Sequence, residues 1–284
     1  MNRLPIEERV RILSALVEGN SIRGTSRMTG AAKGTILKLL ADVGDACDLY
    51  QDQTMQNLRC VRVQLDEIWS YCHAKQRNLV PEMRGKAGVG DMWTWTAIDA
   101  DSKLILSWHL GKRTRADAQI FIRDLAKRIT SNVQISTDGF NQYVAPIQRY
   151  FKYRADHGTE IKVYGFPKAE DTEARYSPQV VLETKRKQVW GAPDPDFIST
   201  AYVERNNLTM RMSMRRFTRL TNAFSKKQQN LQRALALHFM HYNFCRKHQT
   251  LKTTPAIKAG LTDRTWTLHD LANLPDVMRD SVAA

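Results

Sequence analysis

The sequence predicts an α/β (α+β) domain preceded by a small all-α unit. Three observations predict it. Apolar residues recur at helical spacing over the first 40 residues. The pattern changes to strand-like alternation near residue 61. Strands and amphipathic helices then follow one another as far as about residue 216.

The N-terminal unit spans 1–45. In "IEERVRILSALVEG" the residues Val10, Ile12, Leu13, Leu16 and Val17 fall on one helical stripe, which Gly19 and Asn20 end. Ser21 can cap a short helix ending near Met28, and Thr29-Gly30 makes a turn. A second short helix runs from Ala31 to Leu40, with Ile36, Leu37 and Leu40 on one side. Two short helices joined by a glycine turn behind an amphipathic helix are a helix-turn-helix pattern. Its last helix would enter a major groove with Lys33, Thr35 and Lys38 facing DNA.

Residues 46–58 are polar and weakly patterned, and predict a linker. "VRVQLDEIWSY" (61–71), "MWTWTAIDA" (92–100) and "LILSWHLGK" (104–112) read as strands, the last two joined at Asp101-Ser102. Asp99 and Asp101 serve that hairpin. A helix over 115–129 carries Ala118, Phe121, Ile122, Leu125 and Ile129 on its apolar stripe. "VQISTDG" (133–139) is a short strand, followed by a helix near 142–151 and a strand near 160–165. Residues 166–199 read as irregular, and a helix starts near Ser199 or Thr200. Three antiparallel strands continued by parallel ones, with helices on the sheet, resemble the arrangement of RNase H-like domains. This second unit spans 59–216. A basic helical C-terminal region, 217–284, packs on it.

Charge is segregated. Residues 205–258 hold 12 Lys and Arg and no acid, whereas the other 31 basic residues face 29 acids. An ordinary solvated helix interleaves both signs, so the basic stretch points to a polyanion partner. The four cysteines, at 47, 60, 72 and 245, have no CxxC spacing and indicate neither a zinc ribbon nor a disulfide framework. A reduced, cytoplasmic, nucleoid-associated setting fits. No apolar run is long enough to cross a bilayer.

Three acids stand at chemically telling places. Asp66 lies inside the first strand, where an unpartnered acid is costly. Asp138 ends a strand, where α/β folds place ligands. Glu204 opens the helix that leads into the basic stretch. Oxygen-only ligation suits Mg²⁺ or Mn²⁺. Two such ions about 4 Å apart support in-line displacement at phosphorus. On the same helix Asn207 and Arg211 share the Glu204 face, and Arg215, Arg216 and Arg219 continue a track for phosphates. Alternation points Glu67 away from this site. His238 and His241 read as helix packing, and Trp69 either packs under the site or stacks on a flipped base.

"LDEIWSY", "STDGF" and "YVERNNLTMRMSMRRFTRL" resemble the signature blocks of DDE-class insertion-sequence transposases of the IS-one-type family. The resemblance covers roughly 60–245. It implies an RNase H-like fold, a catalytic and metal-binding triad of Asp66, Asp138 and Glu204, and two Mg²⁺ or Mn²⁺ ions. It also implies cleavage and joining of double-stranded DNA at terminal inverted repeats, by a homo-oligomer. Relatives in that family often carry a Cys-rich zinc finger, which this chain lacks. Two other functions fit part of the pattern: a DNA-binding repressor derived from a transposase, which needs no acids, and a structure-selective nuclease, which cuts without joining.

Overall fold

The structure, a computed structural model, describes residues 4–165, 180–218 and 221–283. Three helices open the chain: α1 (Ile6–Val17), α2 (Ile22–Thr29) and α3 (Lys33–Thr54). The Ser21 hydroxyl accepts the Gly24 N–H at 2.9 Å, which satisfies one of the free donors at the start of α2. Gly30, at φ 76°, ends α2 in the left-handed conformation that glycine adopts without penalty. Helix α3 corrects the linker expected at 46–58, since it continues unbroken to Thr54. Ala46, Cys47 and Gln51 are buried there against helices from the far end of the chain, partners that local composition does not reveal.

One six-stranded sheet follows among the described residues. Its strands are β1 (Arg62–Cys72), β2 (Gly90–Asp99), β3 (Ile105–Gly111), β4 (Val133–Thr137), β5 (Ala155–Gly165) and β6 (Val180–Trp190), in the order β3-β2-β1-β4-β5-β6. β1 pairs antiparallel with β2 and parallel with β4. β4 runs parallel to β5, and β6 returns antiparallel. Thus part of the stretch read as irregular is a strand, while 166–179 lies outside the described residues. The side chains of β6 are exposed almost throughout, so it carries none of the apolar alternation that marks a half-buried strand.

Helices cover both faces. α4 (Arg115–Arg128) and α5 (Val144–Phe151) lie on one, where Phe121, Trp95, Leu65 and Ile135 are fully buried. α6 (Ala201–Ser213) and α7 (Gln228–Met240) lie on the other, over Ile68, Met92, Ile98 and Ile105. Each such side chain contributes about 2 kcal/mol of apolar burial. The short α8 (Pro255–Lys258) leads to α9 (Leu268–Ala283). The C-terminal region packs beyond the sheet as well, because α3 lies along both α7 and α9, and α1 against α9. Arg9 Nη1 donates to the Ala272 carbonyl at 2.8 Å, and Arg233 makes a bidentate pair with Asp45.

Candidate active site

Strand register sets the geometry. The parallel ladder between β1 and β4 ends at Gln64 opposite Ser136. Two residues further along each strand stand Asp66 and Asp138, so the two aspartates emerge level on neighbouring strands. β4 stops at Thr137, which leaves the edge of β1 beyond Gln64 without a parallel neighbour. At that open edge Asp66 folds its carboxylate back, and Oδ1 accepts the Glu67 N–H at 2.8 Å.

Glu67 joins the cluster. Ligand oxygens of Asp66, Glu67 and Asp138 all lie within 4.8 Å of one another. Alternation does send Glu67 to the opposite face of the sheet, where Tyr143 Oη donates to Oε2 at 2.7 Å and Arg113 Nε to Oε1 at 2.6 Å. The expectation that this removes it from the site fails, because the two faces meet at the open strand edge. Burial, then the charges of Glu67, Asp138 and Glu204, push the Asp66 carboxyl up to about 7, against the opposing pull of its backbone hydrogen bond. Burial raises Glu67 as well, with Tyr143 and Arg113 opposing. A dense all-oxygen donor set that resists ionisation without a cation is what a hard divalent ion fits. The three carboxylates could hold a metal ion.

Glu204, which is not among the three grouped carboxylates, is carried towards them on α6, which is docked onto β1 by two side chains. Gln64 Oε1 accepts the N–H groups of Tyr202 and Val203 at 2.7 and 3.1 Å, capping the helix from the sheet. Asn207 Nδ2 donates to Asp66 Oδ2 at 2.7 Å. Asn207, expected among the phosphate contacts, is buried and holds the aspartate. Glu204 lies close enough to Asp66 to raise its pKa, yet its Oε1 is engaged by Lys162 Nζ at 2.5 Å and by the Thr200 hydroxyl at 2.7 Å. The acids therefore have cationic partners of their own. Lys162 holds Glu204, and Arg113 lies between Glu67 and Asp138, with Nη2 3.9 Å from Asp138 Oδ2. Neither cation was picked out from the sequence, since each lies on an element whose neighbour in space is remote along the chain.

The expected DNA contacts divide. Lys33 and Lys38 are exposed on the first turns of α3, Lys38 paired with Asp42 at 2.9 Å, while Thr35 is half-buried. Arg211 sits in the last turn of α6 and Arg215 is exposed just beyond it. Arg216 is turned inward, its Nη1 donating to Ser225 Oγ at 2.7 Å, and burial lowers its pKa. Arg219 lies outside the described residues. Arg215 and Lys33 line one groove of about 1060 Å³ between the N-terminal helices and α7, together with Arg23, Arg27, Lys226 and Lys227. No acid lines that groove. His238, which burial pushes down to about 3, is neutral at its floor and acts as packing.

No protein-family model matches the chain. An uncharacterised protein of Methanocaldococcus jannaschii is 27% identical over 97 residues, which are 33% of this chain and 45% of that protein. The chain thus matches somewhat less than half the length of that curated relative. Among solved structures, the piggyBac transposase synaptic complex with hairpin DNA is similar over 99% of this chain and 74% of its own, at 11% identity and a TM-score of 0.40. A pre-cleavage Mos1 transpososome is similar over 99% of this chain and 80% of its own, at 8% identity and a TM-score of 0.32. Both of these solved structures are of transposases, the first of them with hairpin DNA.

Proposed function

We propose that the protein is a metal-dependent DNA transposase of an insertion element, which binds the element's terminal repeats and cuts and joins DNA strands. The observation that carries this reading is the level emergence of Asp66 and Asp138 on adjacent parallel strands, at the edge that α6 crosses with Glu204 and Asn207. Asp66, Asp138 and Glu204 are the proposed catalytic and metal-holding residues, with Glu67 beside them. Mg²⁺ or Mn²⁺, as a pair of ions, would supply a Lewis acid and an activated oxygen nucleophile for in-line displacement at phosphorus.

The chain's own residues prepare that chemistry. Asn207 fixes one oxygen of Asp66 and the Glu67 N–H fixes the other, so the carboxylate is oriented before any ligand arrives. The Phe140 N–H does the same for Asp138 Oδ1 at 2.9 Å. Arg113, held between the rings of Trp93 and Phe140, limits the repulsion between Glu67 and Asp138. Lys162 occupies Glu204 as a cation would. Lys33, Thr35 and Lys38 on α3 read the element end in a helix-turn-helix, while Arg211 and Arg215 meet phosphates. The working form is a homo-oligomer that holds two ends.

Replacing Asp138 by Asn tests the assignment. Cleavage and joining of a labelled repeat end into a plasmid target are expected to vanish while the DNA is still retained. A variant that goes on cutting ends the proposal. A wild-type protein that cuts branched DNA but never joins ends is a nuclease instead.

A further inference from the structure

A row of aromatic rings leaves the carboxylate cluster along β1. Trp69 and Tyr71 follow Glu67 on the same face of the strand, at steps of about 7 Å. Their centroids are 5.6 Å apart. Tyr71 is in turn stacked on Phe224, at 4.9 Å and 30°. All three are half-exposed, and none belongs to either apolar core. That sets them apart from Trp95, which is fully buried among Phe121, Phe140 and Tyr143. Lysine ammoniums lie over the rings instead. Lys75 Nζ is 5.7 Å from Trp69 and 5.9 Å from Tyr71, and Lys226 Nζ is 4.5 Å from Phe224.

The loop carrying Phe224 is pinned. The His73 N–H donates to the Ser225 carbonyl at 2.8 Å, and the inward-turned Arg216 holds the Ser225 hydroxyl. Arg216 thereby fixes the third ring against the second. Phe224 and Lys226 also line the cationic groove that reaches Arg23 and Lys33. The rings therefore bridge the carboxylates at one end and a phosphate-attracting channel at the other.

We propose that Trp69, Tyr71 and Phe224 form a stacking platform for unpaired nucleotides of a DNA strand passing from the carboxylate cluster into the cationic groove, an inference that rests on the DNA-processing reading above. Rings spaced along a basic path suit bases because every base offers a π-face, so such stacking is tolerant of sequence. Lys75 and Lys226 cover the rings when no base is present. When bases stack they move to the phosphates.

The test uses the full chain in EDTA, so that nothing is cut. Blunt duplex is compared with the same duplex carrying a short unpaired tail that contains 2-aminopurine. Wild type is expected to bind the tailed DNA at least about fivefold tighter and to quench the tail's fluorescence. Tyr71→Leu and Phe224→Leu are expected to lose both effects and to bind blunt duplex as before. Equal binding of tailed and blunt DNA by wild type overturns the platform, as does a tail preference that survives both substitutions. Should Tyr71→Leu melt early, Phe224→Leu decides the matter by the same readouts. Failure to bind any DNA, or cleavage by the Asp138→Asn variant, would instead remove the transposase reading itself.

Discussion

Arg113 is clamped between two aromatic faces and reaches two carboxylates, one of them buried. Removing its charge leaves Glu67 with the Tyr143 hydroxyl as its side-chain donor among the described residues, in a place where its side chain is 1% exposed. Arg113→Gln is expected to cost about 2 kcal/mol in urea unfolding, discounted because the guanidinium itself is partly solvated. Adding Glu67→Gln should recover most of that loss. If the double variant is no more stable than the single one, the pair is not coupled. Asp66 titrates the other way from the buried histidines. Its folded pKa of about 7 lies above its ordinary value of 3.8, so its stabilising contribution is full below about 4 and is lost as pH rises through 7. A divalent ion needs the ionised form. Mn²⁺ is therefore expected to raise the melting temperature more at pH 8 than at pH 5.5, and Asp66→Asn should abolish the difference. For His157, burial lowers the pKa from 6.5 to about 4, so its contribution is full above 6.5 and is lost as pH falls through 4. His157→Gln, which can still meet Thr137, is expected to flatten the melting profile between pH 6.5 and 4, and an unchanged slope would refute this.

Helices α3 and α7 meet closely where a side chain is missing. A Cβ at Gly44 on α3 would sit 2.7 Å from the Arg233 carbonyl on α7. Alanine is a better helix former by about 1 kcal/mol, yet here it must push two helices apart. Gly44→Ala is expected to lower the melting temperature by several degrees, a net loss of about 1–2 kcal/mol. Elements like α2 were legible because their signals are local: Ser21 caps, Gly30 stops, and no distant partner is needed. The Asp99 turn was legible for the same reason, since Asp99 Oδ2 accepts the Ser102 N–H at 2.8 Å. The second half of α3 was hidden because its buried residues answer to α7 and α9, far along the chain. β6 was hidden because strand alternation records burial and β6 is scarcely buried. At the site, Asp66 and Asp138 could be singled out from strand position alone. Glu67, Arg113 and Lys162 could not, because what gathers them is the open edge of β1, a property of sheet order rather than of any one segment.

Across the whole molecule the first and last helices share one apolar layer. Deleting 268–284 removes the helix that packs on α1 and takes the Ala272 carbonyl from the Arg9 guanidinium. Such a truncation is expected to leave 1–54 sensitive to limited proteolysis while the sheet stays protected, and equal protection of both would show that the layer is not shared. The tie between Arg9 and Ala272 spans 263 positions. A ribosome must therefore polymerise the segment as far as Ala272 before α1 acquires this buttress, and any stop codon between the two leaves α1 without it.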